Sequence, residues 1–329
     1  YKVANIQTRD VGKAPSPPFT TSTLQQAASS KFGFVPKRTM RIAQNLYEKG
    51  LITYMRTDST RLSPDAIASV RDYIGKTYGA DYVPEKPNFF RMKKSAQDAH
   101  EAIRPTSMEY PPERVAKFLR PEQLKLYALI WKTFVGCQMS PAVYDQTSVD
   151  IEAAPYRLRA SGSVLRFNGF LAVYGKTDDT SEETPDEDGV QPGVLPPLET
   201  GTALTLHAVL PEQHFTQPPP RFSEAGLVKE LEEKGIGRPS TYATILSPIV
   251  TRAYVEKLEG RFCPTELGEL ITELLTESFP QVLDVGFTAQ MEEQLDQVEE
   301  GSVDWVELLS KFYFGGFKEE IERAKEKMR

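Results

Sequence analysis

One short segment of the chain has residue types that suit chemistry at a phosphate. Tyr54 precedes Arg56 by two residues in the run Gly50-Leu51-Ile52-Thr53-Tyr54-Met55-Arg56-Thr57-Asp58-Ser59-Thr60. Residues i and i+2 of an extended stretch point to the same side, so a phenol and a guanidinium would face one phosphate. A phenol with a pKa of about 10 is a poor nucleophile at neutral pH. A guanidinium, which stays charged, would neutralise the phosphate and stabilise the oxyanions that develop during attack.

The same spacing also fits a purely structural role. Tyr54 would then pack on a neighbouring helix, and Arg56 would be an ordinary surface arginine. Spacing alone leaves both interpretations open, so the surrounding elements and motifs have to decide.

Helices with clear start and stop signals flank this segment. A helix predicted over Lys37 to Lys49 ends at Gly50, a residue type that favours helix ends. The run Ser63-Pro64-Asp65 begins the next helix with a capping hydroxyl, a proline at the first helical position and an acid in the first turn. Tyr54 is therefore expected in a non-helical link between two helices. Similar signals predict further helices that start at Thr21 or Ser22 and at Pro121.

The second half of the chain changes from a strand pattern to a helix pattern. Alternating or β-branched residues predict strands within 142–210, namely at 148–154, 156–160, 164–167 and 203–209. Residues 211–329 are predicted to be helical, with starts at Ser223, Ser240, Thr265, Thr288 and about Val303, and with a hairpin over Tyr254–Cys263. The order helix, turn, helix and hairpin is typical of a winged helix.

Composition and charge bound the classes of protein to consider. The 40% hydrophobic and 26% charged residues are typical of a globular protein and exclude a disordered or collagen-like polymer. The net charge of −7 hides an asymmetry. Residues 1–141 hold 22 Lys and Arg against 12 Asp and Glu, a balance of +10, whereas residues 142–329 hold 17 against 34, a balance of −17. Such a split suggests a polyanion partner for the basic part.

Two features exclude common alternatives. No apolar run approaches the roughly 20 residues of a membrane helix, so no membrane partner is expected. The two cysteines, Cys137 and Cys263, are too few for a disulfide framework or a four-thiolate zinc site, which indicates a reducing compartment. Seven acids cluster between Asp178 and Asp188, and a metal site there is the alternative to the solvated loop that Thr, Ser, Pro and Gly predict at about 176–200.

Further motifs stand around the tyrosine segment in a fixed order. They are Pro18-Phe19-Thr20-Thr21-Ser22-Thr23-Leu24-Gln25-Gln26-Ala27-Ala28, Ala99-His100-Glu101-Ala102-Ile103-Arg104-Pro105, Arg221-Phe222-Ser223-Glu224, Gly235-Ile236-Gly237-Arg238-Pro239-Ser240-Thr241-Tyr242-Ala243 and Phe287-Thr288-Ala289-Gln290-Met291-Glu292. This ordered set closely resembles the bacterial DNA topoisomerase I family, the type IA topoisomerases. The resemblance covers essentially the whole chain, and the runs around Tyr54 and Arg238 are highly specific to the family.

The resemblance implies roles for individual residues. Tyr54 would attack one DNA strand and become linked to the 5′ phosphate, while Arg56 would position and neutralise the scissile phosphate. His100 matches a family histidine that contacts nucleic acid near the active site, with a core or capping histidine as the alternative. Four residues match a segment that binds single-stranded DNA: Arg238, Ser240, Thr241 and Tyr242. Two more are candidate backbone contacts or ordinary surface arginines: Arg221 and Arg252.

The resemblance also implies a fold and a mechanism. The fold class would be a multidomain α+β protein, with mostly helical gate and base domains joined by a strand-rich arch as part of a torus. Residues 1–13 and 142–210 would form the arch, residues 14–141 the tyrosine domain, and residues 211–329 a winged-helix-like DNA-binding domain. The enzyme would be an ATP-independent isomerase that relaxes negative supercoils by passing a strand through the opened gate.

Two parts of the family pattern are absent from this sequence. The family's N-terminal Toprim domain, whose carboxylates hold Mg²⁺, has no counterpart here, and neither do the C-terminal zinc modules. We therefore expect a fragment that binds no metal itself, binds single-stranded DNA, lacks full relaxation activity and takes the missing Toprim domain as its partner. The resemblance implies a monomer located in the cytoplasm, at the bacterial nucleoid.

Two other classes of protein remain as alternatives. A non-catalytic winged-helix module would read duplex DNA, although the acidic balance of 142–329 argues against it because duplex readers show a basic face. A tyrosine recombinase would form a 3′ link instead, and its tyrosine lies near the C-terminal end of the catalytic domain, unlike Tyr54.

Overall fold

Helices and two small antiparallel sheets make up the computed structural model, which describes residues 1–90, 100–175 and 193–327. The strands are β1 (Lys2–Lys13), β2 (Ala142–Ala153), β3 (Tyr156–Phe167), β4 (Val255–Leu258) and β5 (Arg261–Pro264). The helices of the described residues are α1 (Thr21–Phe32), α2 (Pro36–Glu48), α3 (Pro64–Thr77), α4 (Pro112–Val115), α5 (Pro121–Cys137), α6 (Glu224–Glu233), α7 (Tyr242–Thr251), α8 (Glu266–Ser278), α9 (Val285–Glu299), α10 (Trp305–Phe312) and α11 (Lys318–Lys327). The α+β class is therefore confirmed.

Helices α1 to α5 surround one apolar core. The Ser63 hydroxyl accepts a hydrogen bond from the Ala66 amide and caps α3 as predicted, whereas the cap of α1 is Thr20, one residue earlier than expected. Large apolar side chains from these helices fill the core: Leu24, Ile42, Leu46, Ile74, Leu126, Ile130 and Trp131. Each contributes about 1.5–3 kcal/mol by leaving water, so this core holds the loops between the helices in place.

The larger sheet is joined to this helical unit by two adjacent chain connections. Its order is β1-β2-β3, all antiparallel, and Lys13 at the end of β1 lies opposite Ala142 at the start of β2. The chain thus leaves the sheet and returns to it at one point, with the whole helical unit inserted between. The strand predicted at 203–209 is wrong: the segment makes only a bridge from Ala203 to Lys2, and residues 205–209 are exposed and lie beside no strand of the described residues.

The C-terminal part begins with the helix, helix and hairpin order that the sequence predicts. The α6 helix, the α7 helix and the β4–β5 hairpin share a small core, which consists of Val228, Tyr242, Leu246 and Phe262. Two predicted helix starts are wrong. The residue before α7 is Thr241 rather than Ser240, and α9 begins after the capping Asp284 rather than at Thr288.

The C-terminal part docks on the helical unit formed by α1 to α5. The α6 helix packs against α1, and α7 packs against α2. A hydrogen bond crosses this seam, donated by the Ser22 hydroxyl to a Glu232 carboxylate oxygen at 2.5 Å. Residues from both halves of the chain therefore meet beside the segment that carries Tyr54.

Candidate active site

The segment around Tyr54 alternates between exposed and buried side chains. Tyr54 is 46% exposed and Arg56 is also exposed, whereas Met55 between them is only 1% exposed. Thr57 is buried again. This alternation puts the phenol and the guanidinium on the same, solvent-facing side, as the period of an extended stretch requires.

Hydrogen bonds from two directions fix the backbone of this segment. The Thr21 hydroxyl donates to the Met55 carbonyl at 2.7 Å and accepts from the Thr57 amide at 2.8 Å. On the other side, the Thr53 amide donates to the Arg104 carbonyl at 2.9 Å. Since Met55 and Thr57 flank Arg56, the Thr21 hydroxyl holds both peptide groups next to that arginine.

The Tyr54 ring leans on α2 without being covered by it. Its centroid lies 5.2 Å from that of Tyr47 in an edge-to-face contact, an arrangement that stabilises an aromatic pair. The structural alternative is thus partly realised, because Tyr54 does pack on a neighbouring helix. Nearly half of its surface nevertheless stays open to a ligand.

His100 lies beside the tyrosine segment through a contact with Asp58. The His100 Nδ1 atom is 3.4 Å from the Asp58 Oδ1 atom, and the histidine side chain is 40% exposed. The imidazole is therefore not a core residue and lies next to a carboxylate, while its contact with nucleic acid stays a prediction. Sequence reasoning did not select Asp58, although its position two residues after Arg56 continues the same alternation.

A half-buried ion pair supports the segment that follows His100. A Glu101 carboxylate oxygen lies 2.9 Å from Arg104, and the other oxygen accepts a hydrogen bond from the Ser63 amide at 2.6 Å. Burial raises the pKa of Glu101, but the bonds from Arg104 and Ser63 outweigh this effect and leave the pKa below its usual value. The residue after His100 is thereby tied to the start of α3.

The loop before α7 holds its arginine by ion pairs. The Arg238 guanidinium lies 2.5 Å from an Asp296 carboxylate oxygen and 3.8 Å from Glu292, both on α9. Burial lowers the pKa of Arg238, but these carboxylates outweigh that effect, so the pKa lies above its usual value. The Thr241 hydroxyl accepts a hydrogen bond from the Arg238 amide at 2.8 Å, and Ser240 is exposed beside it.

Tyr242 is a core residue at the seam between the two halves. It is 5% exposed, and burial, together with the negative charges of Glu232, Asp58 and Glu292, raises its pKa against the opposing effect of Arg238. Its ring therefore offers no open face for a base in this conformation, and the predicted stacking role has no support here. Its proximity to Asp58 nevertheless places the loop before α7 next to the tyrosine segment.

The last two predicted contacts lie at the ends of helices. Arg221 precedes α6 and Arg252 follows α7, and both side chains are exposed. The Arg221 carbonyl accepts a hydrogen bond from Arg261. Neither side chain takes part in an ion pair within residues 1–90, 100–175 and 193–327.

The described residues contain neither a cluster of metal ligands nor a helix that could span a membrane. Across the described parts of the chain, no group of three or more His, Cys, Asp or Glu side chains is arranged to hold a metal ion. The acidic residues from Asp178 to Asp188 lie outside the described residues. None of the described helices has an apolar stretch long enough to traverse a bilayer.

Comparisons with known proteins show which proteins the chain is similar to. A family model described as DNA topoisomerase matches residues 1–310. The DNA topoisomerase 1 of Vibrio cholerae is 46% identical over 329 residues, which are 99% of this chain and 36% of the relative, and that of Pseudomonas aeruginosa is 49% identical over 324 residues, which are 98% and 36%. The structure of full-length topoisomerase I from Thermotoga maritima is similar at a TM-score of 0.79 and 36% identity, over 98% of this chain and 52% of that one.

The chain is shorter than each of these relatives. It spans a little over a third of the curated relatives that it matches and about half of the similar structure. Within that span, the family model covers nearly every residue, from the first strand to α10. The chain therefore belongs to the bacterial type IA DNA topoisomerase family.

Proposed function

We propose that this chain carries the strand-cleaving tyrosine of a type IA DNA topoisomerase. In the reaction, the Tyr54 phenolic oxygen bonds to phosphorus, and the bond from phosphorus to the 3′ oxygen breaks. The phenolic proton passes, overall, to the departing 3′ oxygen, which becomes a hydroxyl. The observation that carries this proposal is the exposure of Tyr54 and Arg56 on one side of a segment pinned by Thr21.

Charged residues near Tyr54 support the same chemistry. The Arg56 guanidinium, exposed on the same side, would neutralise the scissile phosphate and stabilise charge on its oxygens. His100, held by Asp58, offers a second hydrogen-bonding group for nucleic acid beside the tyrosine. Because the ester bond is exchanged for another ester bond, the reaction needs no ATP and can run backwards to reseal the strand.

The DNA would reach Tyr54 along the loop before α7. Ser240 is exposed there, and Arg238, Thr241 and Tyr242 lie at the seam that borders the tyrosine segment. Arg221 and Arg252, both exposed, would add contacts to the DNA backbone. In this conformation Arg238 pairs with Asp296, so a phosphate would have to compete with that carboxylate.

Strand passage requires the helical unit of α1 to α5, which carries the Tyr54 segment, to part from the C-terminal half. The seam between α1 and α6 is the place where they would separate, with the bond from Ser22 to Glu232 breaking. The β1-β2-β3 sheet supports this idea, since both connections to the helical unit leave it at Lys13 and Ala142. A single point of attachment suits a domain that swings as one body, which is how negative supercoils would be relaxed.

The partners of the chain would be DNA and the rest of its own protein. Large apolar side chains remain exposed on the last helices, and a further domain such as Toprim, with its Mg²⁺ carboxylates, would cover them: Leu267, Leu270, Trp305, Val306 and Leu309. A monomer acting on nucleoid DNA in the cytoplasm fits this role. We expect the chain alone to bind single-stranded DNA without relaxing supercoils.

The test is a denaturing gel that detects a covalent link between protein and DNA. Residues 1–329 replace the aligned segment of the Vibrio cholerae relative, and the chimera is incubated with a labelled single strand. Tyr54→Phe should abolish the adduct, whereas Tyr47→Phe, which changes the neighbouring exposed tyrosine, should keep it. An adduct that survives Tyr54→Phe would refute the proposal. If the protein instead retained the DNA fragment through a 3′ phosphate, the link would indicate a recombinase.

A non-catalytic DNA reader is the second candidate, favoured by the arrangement of α6, α7 and the β4–β5 hairpin around one small core. Binding by such a module should prefer duplex DNA and leave no adduct. Titrations with single-stranded and duplex oligonucleotides at several salt concentrations would separate the two functions, because only a duplex reader would bind the duplex more tightly.

A further inference from the structure

A cleft opens where α2 ends, just before the tyrosine segment. Two adjoining hollows of about 590 and 310 Å³ share Lys49 and Phe118 as lining residues, and we call them together the α2 cleft. The larger hollow is in the size range of ligand sites in proteins. Six of its lining residues carry the argument: Lys49, Leu51, Tyr110, Arg114, Lys117 and Phe118.

The charges of the α2 cleft are unbalanced. Lys49, Arg114 and Lys117 line the larger hollow without an acidic residue, and the smaller hollow adds Arg120 and one acid, Glu48. Among the residues that the structure describes, none of these three cations forms an ion pair with a carboxylate. Three unpaired cations around one concave surface attract an anion with several charges.

An exposed aromatic ring stands among these cations. Phe118 is 68% exposed at the end of a short turn of 3₁₀ helix, and the Lys117 ammonium lies 5.0 Å from its ring centroid. A bare phenylalanine between two hollows provides a stacking surface for a flat ring. Cations that follow a backbone and aromatics on which bases stack are the two features of a single-strand binding groove.

The wall of the cleft is tied directly to the tyrosine segment. The Thr106 amide donates to the Leu51 carbonyl at 3.1 Å, and the Thr106 hydroxyl donates to the Gly50 carbonyl at 2.6 Å. Leu51 lies three residues before Tyr54, a span of at most about 10 Å of chain. That distance corresponds to about three stacked nucleotides at 3.4 Å each. A strand held at Tyr54 can therefore continue into the α2 cleft.

We propose that the α2 cleft is a second single-strand binding site, which takes nucleotides adjacent to those at Tyr54. Lys49, Arg114 and Lys117 bind the phosphates, and Phe118 stacks on a base. This site rests on the proposed function, because it assumes that a single DNA strand reaches Tyr54.

The test measures binding of a fluorescent oligothymidine of about 15 nucleotides to the unaltered chain and its variants. Phe118→Ala should weaken binding by about five-fold to 160-fold, which is the loss of one base stack. The double variant Lys49→Ala and Lys117→Ala should lower the slope of log affinity against log salt by about 1.4, since each phosphate contact contributes about 0.7.

Another exposed aromatic ring provides a matched control. Phe314 is 71% exposed, and Lys318 lies 6.0 Å from its ring, so Phe314→Ala and Lys318→Ala remove the same groups elsewhere. These changes should leave affinity and salt slope unaltered. Both phenylalanines are largely exposed, so neither substitution disturbs the fold.

Each outcome decides the proposal. Equal affinities for Phe118→Ala and Phe314→Ala would overturn it. If only the double lysine variant lost affinity, the cleft would be a simple anion site, and pyrophosphate would then block oligonucleotide binding there. A chain that binds no single strand would overturn the site and the proposed DNA contacts together. If the variants of the α2 cleft bind the single strand as tightly as the unaltered chain, and the chimera still forms the Tyr54 adduct, only this site would be refuted.

Discussion

The Thr21 hydroxyl is expected to determine both the stability and the activity of the tyrosine segment. It is fully buried and makes two hydrogen bonds, to the Met55 carbonyl at 2.7 Å and from the Thr57 amide at 2.8 Å. Thr21→Val keeps the shape of the side chain and leaves both backbone groups without that partner. Each buried group that loses its partner costs about 1–3 kcal/mol, so the free energy of unfolding should fall by about 2–6 kcal/mol.

Urea unfolding followed by the fluorescence of the buried Trp131 measures this change. Trp305, which is exposed in the C-terminal half, is first replaced by phenylalanine so that one signal remains. With a slope of about 2 kcal/mol per molar urea, the midpoint should fall by about 1–3 M. The adduct yield of the chimera should fall as well, because Arg56 lies between the two released peptide groups.

Two variants control for effects unrelated to this hydroxyl. Thr21→Ser retains the hydroxyl and loses one methyl group, so it should lower stability by less than about 1.5 kcal/mol and keep adduct formation. Thr244→Val removes an exposed hydroxyl that bonds within its own helix and should change stability by less than about 0.5 kcal/mol. The reasoning fails if Thr21→Val and Thr21→Ser unfold at the same urea concentration.

Three further predictions concern charges and thiols. Asp296→Asn releases Arg238, so single-strand affinity should rise about two-fold to five-fold and the salt slope should steepen by about 0.7, as measured by oligonucleotide titration. Glu101→Gln should flatten the acid side of the stability curve: because the folded pKa of Glu101 lies below its unfolded value near 4.5, its contribution is complete above that pH and disappears as pH falls through the folded pKa. Burial raises the pKa of Cys137 to about 12, so a thiol reagent at pH 8 should modify only the half-buried Cys263 until denaturant is added.

Each of these predictions has a control and a contradicting result. Glu293→Gln makes the same charge change at an exposed position of α9, and an equal gain in affinity would show that Arg238 is not involved. Glu109→Gln, also exposed, should leave the acid limb intact, and a Glu101→Gln curve that parallels the unaltered chain would contradict the ion-pair argument. Reaction of two thiols in native buffer would show that Cys137 is accessible.

Local signals predicted the elements that depend on neighbouring residues. The α3 start at Ser63-Pro64-Asp65, the α6 start at Ser223 and the hairpin of β4 and β5 were all readable, since a cap or a turn involves only a few consecutive residues. The strand predicted at 203–209 failed for the opposite reason. Its residues have a strand-like pattern, but a strand needs a partner, and pattern alone does not supply one.

The sequence by itself determined that Tyr54 and Arg56 share one side, because alternation in an extended segment is set by the backbone of consecutive residues. Only the tertiary structure decided that Asp58 meets His100, 42 residues away, and that Asp296 holds Arg238 across 58 residues. It also buried Tyr242 at the seam instead of leaving its ring open. Such pairings depend on how helices pack around a common core, and packing is a property of the whole chain, which no single segment carries.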